Sequence, residues 1–134
     1  MDFRPVMSQL YPDGSRGGQC GTFAHRLVQF PFVGNFLFNK ISAVKRFGIP
    51  ASNLQFRFKP GDIVITNESL IFGHVLMVNF VTYVENSDQA VNFQCTESNF
   101  HLDLKIHHSR VMAANSPHII GVIRGPLLFP TNPS

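Results

Sequence analysis

The centre of the predicted fold is the stretch GGQCGTFAHRLV, residues 17–28. Apolar side chains recur in it every three or four positions, the spacing of one buried helical face: Cys20, Phe23, Ala24, Leu27 and Val28. Two glycines come before this pattern and allow the backbone to approach its neighbours closely. We therefore predict a helix from Cys20 to about Gln29, with Cys20 on its first turn.

Cys20 has two interpretations at this position. A thiol at the start of a helix lies at the positive end of the helix dipole, which favours the reactive thiolate. A lone cysteine is more often a structural residue that packs as a small hydrophobic group. The second cysteine, Cys95, is expected in the core, and no disulfide with Cys20 is predicted. The choice between a reactive and a structural cysteine depends on which residues the rest of the chain places near Cys20.

Composition limits the class of protein. A chain of 134 residues predicts one domain over residues 1–134 with a real core. Hydrophobic residues make up 44% and charged residues 14%, which argues against disorder. The net charge is +3 without a lysine or arginine run, so nucleic acid is not an expected partner, whereas a polyanionic polymer such as a cell-wall glycan suits this charge. We expect a monomer.

No stretch is apolar over the length needed to span a membrane, and the first residues lack the apolar core of a signal peptide. Membrane insertion is therefore not expected. The sequence favours a protein that works where it is made or is released by another route.

Periodicity predicts the order of the elements. After the first helix, Leu37, Ile41 and Val44 mark a second one that ends at Gly48, with Lys40 and its neighbours on a solvated face. Alternation of period two then predicts strands at residues 54–58, 63–66, 74–84, 90–99, 101–106 and 118–124. Residues 1–18 are expected to be an irregular lead-in, 109–117 a connector and 125–134 a loose tail. The prediction is an α+β fold with N-terminal helices packed on a five- to six-stranded antiparallel sheet.

Two polar residues fall on apolar faces of the predicted hairpin. His74 shares a strand face with Leu76, and Glu97 shares a face of the next strand with Phe93. An ionised carboxylate on such a face needs a partner, and a histidine on the neighbouring strand can supply it. The alternative is that His74 is satisfied by backbone groups in the core and that Glu97 lies at a strand end in water. If Glu97 holds His74 and His74 activates Cys20, the three form a thiol acyl-transfer site.

Four short motifs occur in an order that belongs to a known family. They are Gly18-Gln19-Cys20 opening a helix, Lys59-Pro60-Gly61-Asp62 before a strand, Gly73-His74-Val75 beginning a strand, and Glu97-Ser98-Asn99 ending the next. Together they span most of the chain. In these motifs the sequence resembles the CHAP family, the cysteine- and histidine-dependent amidohydrolases and peptidases related to papain.

The resemblance implies a papain-like fold and a role for each matched residue. By this resemblance Cys20 is the nucleophile, His74 the general base, and Glu97 the group that orients His74. Asn99 is expected to give additional polar support. Gln19 is expected to help form the oxyanion hole, together with a backbone N–H at the helix start.

The resemblance also implies the substrate. The family includes peptidoglycan hydrolases, so we expect an N-acetylmuramoyl-L-alanine amidase or a peptide-bridge endopeptidase. A phage lytic enzyme (an endolysin, with antimicrobial action) at the bacterial cell wall fits this expectation, as does one catalytic domain of a larger protein. Two alternatives remain: a cysteine peptidase or amidase on a non-wall substrate, and a non-catalytic binding module that keeps the cleft. Fast alkylation of Cys20 near neutral pH separates an enzyme from a binding module.

No metal or other cofactor is predicted. His101, His107 and His108 could suggest a metal site, but no second cysteine pair or H-E-x-x-H pattern accompanies them. Some phage lysins of the family carry a calcium loop of spaced acidic residues near the N-terminus. Asp2 and Asp13 are too few for such a loop.

Overall fold

The computed structural model describes residues 1–131, which form four helices and seven strands. The helices are α1 (Arg4–Leu10), α2 (Cys20–Leu27), α3 (Leu37–Phe47) and α4 (Ala51–Leu54). The strands are β1 (Ile49–Pro50), β2 (Ile63–Thr66), β3 (His74–Tyr83), β4 (Ala90–Ser98), β5 (Ile106–His107), β6 (Val111–Ala113) and β7 (Ile119–Ile123). Within residues 1–131, no helix combines the length and the apolar character needed to cross a membrane.

The strands form one sheet in the order β1-β7-β2-β3-β4-β5. Strand β6 is outside this order and pairs with a different part of β4 than β5 does. Every strand pairing in the described chain is antiparallel. The predicted α+β class with an antiparallel sheet is therefore confirmed, but the sheet has seven strands and not five or six. The additional strands are short, with two or three residues each, and carry too little periodicity to be recognised in the sequence.

Both faces of the sheet are covered by apolar side chains. Helices α1, α2 and α3 pack on one face, where Phe23 and Leu27 of α2 meet Val75 and Met77 of β3. The other face carries a second cluster that includes Phe93 and Cys95 of β4. Full burial of one such phenylalanine stabilises the fold by about 1.5–3 kcal/mol. This packing fixes α2 against the start of β3.

The expectation of an irregular lead-in over residues 1–18 is wrong for its first half. Arg4–Leu10 is a helix that begins with Pro5 in its first turn, where the missing N–H has no helical partner to lose. Val6 and Met7 are buried by it. The Asp2 carboxylate accepts a hydrogen bond from the Arg4 N–H at 2.9 Å and supports the helix start.

The strand predicted at residues 54–58 is also wrong. Leu54 ends the short helix α4, and Gln55 and Phe56 follow it with φ of +54° and +62°. These left-handed conformations break any strand pairing. Leu54 and Phe58 are both buried, as a strand face would require, but Phe56 between them is 46% exposed.

Two further predictions fail after β4. The strand expected at residues 101–106 is a loop for most of its length, because Leu102 and Leu104 both have positive φ values, and strand β5 begins only at Ile106. The connector expected at 109–117 contains β6, whose Met112 side chain is buried. In the segment 101–106, the positive φ values keep Leu102 and Leu104 out of the sheet.

The C-terminal segment is packed as far as Phe129, contrary to the predicted loose tail. Val28 and Leu127 form an isolated bridge, which also explains why α2 ends at Leu27 and not at Gln29. Phe129 is buried and its ring lies 5.2 Å from that of Phe3, edge to face. The part of the predicted tail at 132–134 lies outside the described residues.

Candidate active site

Cys20 is the first residue of α2, as the sequence predicts. Gln19 occupies the N-cap position with extended backbone angles, and Cys20 is half-buried. Hydrogen bonding to the backbone of Val75 in β3 is one of the effects that lower the pKa of Cys20. The start of the helix and the start of the strand therefore meet at the thiol, where both supply hydrogen-bond donors to a thiolate.

His74 and Glu97 lie on neighbouring strands and are in direct contact. His74 Nε2 is 2.8 Å from Glu97 Oε1, and both side chains are almost fully buried. The strands are in the register that pairs Met77 with Thr96. Continuing this register makes His74 and Glu97 diagonal neighbours on one face, within reach for long side chains. The contact expected from the sequence is present.

The charges of this site favour a thiolate and an imidazolium. Burial alone would lower the pKa of His74, but hydrogen bonding to Cys20 and Glu97 and their negative charges raise it to about 9. Burial alone would raise the pKa of Cys20, yet hydrogen bonding to His74 and its positive charge give a net lowering. Since Nε2 is engaged by Glu97, Nδ1 is the ring nitrogen left for the thiol. The two groups titrate as a coupled pair.

Arg110 is a part of the site that the sequence did not indicate. Its Nε and Nη2 bind the two oxygens of Glu97 at 2.8 and 2.7 Å, and its guanidinium also binds Glu68. The same guanidinium lies 3.7 Å from the centre of the Phe100 ring, which in turn packs 5.3 Å from the His74 ring. Arg110 therefore fixes both the carboxylate that holds His74 and an aromatic wall beside it.

The pKa values around Arg110 follow from this arrangement. Burial raises the pKa of Glu97, but hydrogen bonds from His74 and Arg110 lower it overall. Burial likewise raises the pKa of Glu68, and hydrogen bonding to Arg110 reverses that effect. Both carboxylates are thus kept ionised around one guanidinium. A signal for Arg110 was available, because a buried carboxylate at position 97 has more acceptor sites than one histidine can fill.

Asn99 does not support the His74 ring as the resemblance implied. It adopts a left-handed conformation, with φ of +67°. Its Nδ2 donates to Gln19 Oε1 at 3.0 Å, and its Oδ1 accepts from the Leu104 N–H at 2.9 Å. Both ends of the amide are therefore committed to other groups. Asn99 therefore positions the side chain of Gln19, the residue before Cys20.

The side-chain amide of Gln19 is held at one end only. Its side-chain oxygen Oε1 accepts the hydrogen bond from Asn99. This leaves the side-chain amino group without that partner, on an exposed residue next to Cys20 in the sequence. The backbone before it is held by Ser98, whose hydroxyl donates to Gly18 O at 2.7 Å. Gly17 is required there, because a Cβ at this position would collide with the side chains of Ser98 and Ile106.

Lys40 lies in the site and not on the solvated face predicted for it. The loop over residues 69–73 covers the beginning of α3, where the Leu37 N–H donates to Ile71 O at 2.8 Å. Lys40 is only 4% exposed as a result. Burial lowers the pKa of Lys40, the charge of Cys20 opposes that shift, and the ammonium in turn helps to lower the pKa of Cys20.

These side chains line an open cleft of about 730 Å³. Cys20, His74 and Asn99 contribute polar groups to its wall, and Gln19, Lys40 and Glu68 also line it. Apolar side chains form its rim and remain well exposed, among them Phe32, Phe72 and Leu102. The cleft can therefore take a substrate with both polar and apolar groups next to the thiol.

The histidines and the second cysteine considered in the sequence analysis have other contacts. In the part of the chain that the structure describes, no three histidine, cysteine, aspartate or glutamate side chains are arranged to hold a metal ion. His107 contacts Asp103 at 2.9 Å, and His108 is buried against Thr96. Cys20 and Cys95 are both free thiols. Burial raises the pKa of Cys95 well above its ordinary value, so it is a neutral core residue, as predicted.

Comparison with family models, with curated proteins and with solved structures gave no significant match. The interpretation of the site therefore depends on its own geometry.

Proposed function

We propose that the protein is a cysteine-dependent hydrolase that cleaves amide bonds in peptidoglycan. The observation that carries the proposal is the 2.8 Å contact between His74 and the buried Glu97, together with the position of Cys20 at a helix start, where His74 lowers its pKa. A nucleophile, a base and a group that orients the base are the parts that thiol acyl transfer needs. Their environment lowers the pKa of Cys20 and raises that of His74, which favours the ionised pair.

The reaction follows from these positions. The Cys20 thiolate attacks the carbonyl carbon of the amide, and the oxyanion that forms is bound by an N–H at the start of α2 and by the Gln19 amino group. The His74 imidazolium gives its proton to the leaving amine, which breaks the C–N bond. Neutral His74 then removes a proton from water, and the resulting attack on the thioester releases the acid and restores the thiol.

The assignment of peptidoglycan comes from the resemblance to CHAP hydrolases and from the charge of the protein. The motifs that carry the resemblance contain Cys20, His74 and Glu97: His74 contacts Glu97, and His74 also lowers the pKa of Cys20. A net charge of +3 favours approach to a polyanionic wall polymer. The bond would be the N-acetylmuramoyl-L-alanine amide or a peptide bond of a cross-bridge.

A second candidate is a cysteine peptidase or amidase on a non-wall substrate. The observation that favours it is the exposed apolar rim of the cleft, where Phe32 and Leu102 are each 83% exposed. Such a rim suits an acyl group or peptide with large apolar side chains.

Mass spectrometry of the muropeptides released from purified cell walls tests the proposal. An amidase releases stem peptides free of muramic acid, and an endopeptidase opens cross-bridges with the addition of one water. Either product from the wild-type protein, and neither from Cys20→Ala, is the expected result. Absence of both products from walls of several types, with Cys20 reactive towards alkylating agents, would contradict the wall substrate and favour the second candidate.

A further inference from the structure

A buried ammonium group lies immediately beside the proposed catalytic pair. The stem of Lys40 passes Gly73, the residue before His74, so closely that a Cβ on Gly73 would lie 2.9 Å from Lys40 Cδ. Gly73 has φ of +65°, a conformation that glycine adopts without strain. The Lys40 side chain thus occupies the space that a side chain on residue 73 would need. Lys40 also lines the cleft.

Among residues 1–131, the Lys40 ammonium has no carboxylate partner. Its Nζ donates to Gly34 O at 3.3 Å and to Asn35 O at 3.2 Å, two long hydrogen bonds to neutral carbonyl groups. No aspartate or glutamate in residues 1–131 forms an ion pair with it. An ammonium has three donors, and a buried charge is unfavourable unless it is paired.

The other cations of the site are already neutralised. Arg110 is shared between Glu68 and Glu97, and protonated His74 lies between Glu97 and the Cys20 thiolate. Lys40 is the only lysine or arginine among the described residues that line the cleft. It is therefore the cleft group whose charge is available to a ligand.

We propose that Lys40 is a binding subsite for a carboxylate of the substrate. The substrate class is then an amide or peptide that carries a free carboxylate close to the bond that is cut, and the ammonium selects it over the neutral carboxamide. This inference rests on the proposed function, because it assumes that the group bound next to Cys20 is the substrate of that thiol. It adds a selectivity that the catalytic residues alone do not provide.

Two small alkylating agents separate charge recognition from thiol reactivity. Iodoacetate carries a carboxylate, iodoacetamide is its neutral counterpart, and both form a thioether with a thiolate and release iodide. The measured quantity is the ratio of their rate constants at Cys20, located by peptide mass spectrometry and divided by the same ratio for a small free thiol. A change in the pKa of Cys20 affects both reagents equally, so that it cancels in this ratio.

Lys40→Met should lower the ratio about tenfold, because it removes a charge-assisted contact with the carboxylate. Lys45→Met is the matched control, since Lys45 lies on the same helix but is exposed, and it should leave the ratio unchanged. The imidazolium of His74 attracts iodoacetate in all three proteins, so the difference between them reports on Lys40.

An equal ratio in wild type and folded Lys40→Met would overturn the carboxylate subsite. Slow alkylation of wild-type Cys20 by both reagents would instead contradict the proposed function, while the ratio would still report on Lys40. If Lys40→Met does not fold, the test uses the wild-type protein alone. It measures how well an added ligand protects Cys20 from alkylation by iodoacetamide. N-acetylalanine should protect and its carboxamide should not; equal protection by the two would overturn the subsite.

Discussion

The Arg110 guanidinium binds both oxygens of Glu97, at 2.8 and 2.7 Å, while one of these oxygens also lies 2.8 Å from His74 Nε2. The carboxylate that orients the histidine is thus itself oriented by an arginine from a separate segment of the chain. A two-point contact of this kind fixes the carboxylate plane as well as its position.

Arg110→Gln should lower kcat about 100-fold in protein that remains folded, because a small displacement of Glu97 misplaces His74. It should also move the acidic limb of the pH–rate profile to higher pH. Arg110 lowers the pKa of Glu97, so without Arg110 this carboxylate takes up a proton at a higher pH than in wild type. The measurement is kcat as a function of pH.

A matched control for Arg110→Gln is Arg124→Gln. Arg124 also binds a buried carboxylate through two contacts, with Asp62 at 2.8 and 3.1 Å, but neither residue lines the cleft. Its substitution should destabilise the fold without a shift of the profile. If both variants lower kcat equally and leave the acidic limb in place, Arg110 has a structural role alone.

Glu97→Gln should reduce activity far more than stability. Glutamine keeps the size of the side chain but removes the charge that raises the pKa of His74, so the alkaline limb of the profile should move to lower pH. Losses from comparable substitutions reach about 10⁴-fold in kcat. Steady-state rates with circular dichroism as the folding control test this; activity within about threefold of wild type would remove Glu97 from the site.

The pH dependence of the proposed activity in the wild-type protein should follow the coupled pair of Cys20 and His74. Activity rises as the thiolate forms, at a pH below the ordinary range of a thiol because the pKa of Cys20 is lowered. It falls as the pH passes about 9, where His74 loses the proton that the leaving amine needs. A flat profile of kcat/KM across this interval would count against catalysis by this pair.

Gly17→Ala and Gly21→Ala should change the melting temperature in opposite directions. A Cβ on Gly17 would collide with Ser98 and Ile106, so that overpacking should destabilise the fold by about 1–3 kcal/mol. A Cβ on Gly21 meets no atom within 4 Å, and alanine is favoured over glycine in a helix by up to about 1 kcal/mol. Thermal melting of both variants measures this, and a Gly17→Ala protein as stable as wild type would refute the close packing.

The strongly periodic parts of the chain were predictable from the sequence. The buried face of α2, the long hairpin of β3 and β4, and the contact between His74 and Glu97 all follow from side-chain periodicity, and the structure contains them. Periodicity reports on local geometry, and these features depend on one helix or on two consecutive strands.

The remaining parts depend on contacts between distant segments. Arg110 lies in a short irregular segment whose own pattern says nothing of Glu97, 13 positions earlier in the chain. Lys40 occupies an outward helix position that becomes buried only because the loop at 69–73 folds over it. Helix α1 lies within the expected lead-in, and its Pro5 is compatible with a helix because proline is tolerated in a first turn.

The central claim is that the Cys20 thiol is the nucleophile, and Cys20→Ala tests it most directly. Alanine keeps the Cβ at the start of α2 and removes only a half-buried sulfur, so the melting temperature should stay close to that of wild type. Clearing of purified cell walls should fall by at least about 10⁴-fold, because no other group in the site can form the thioester. Retained wall clearing by a folded Cys20→Ala protein would contradict the account.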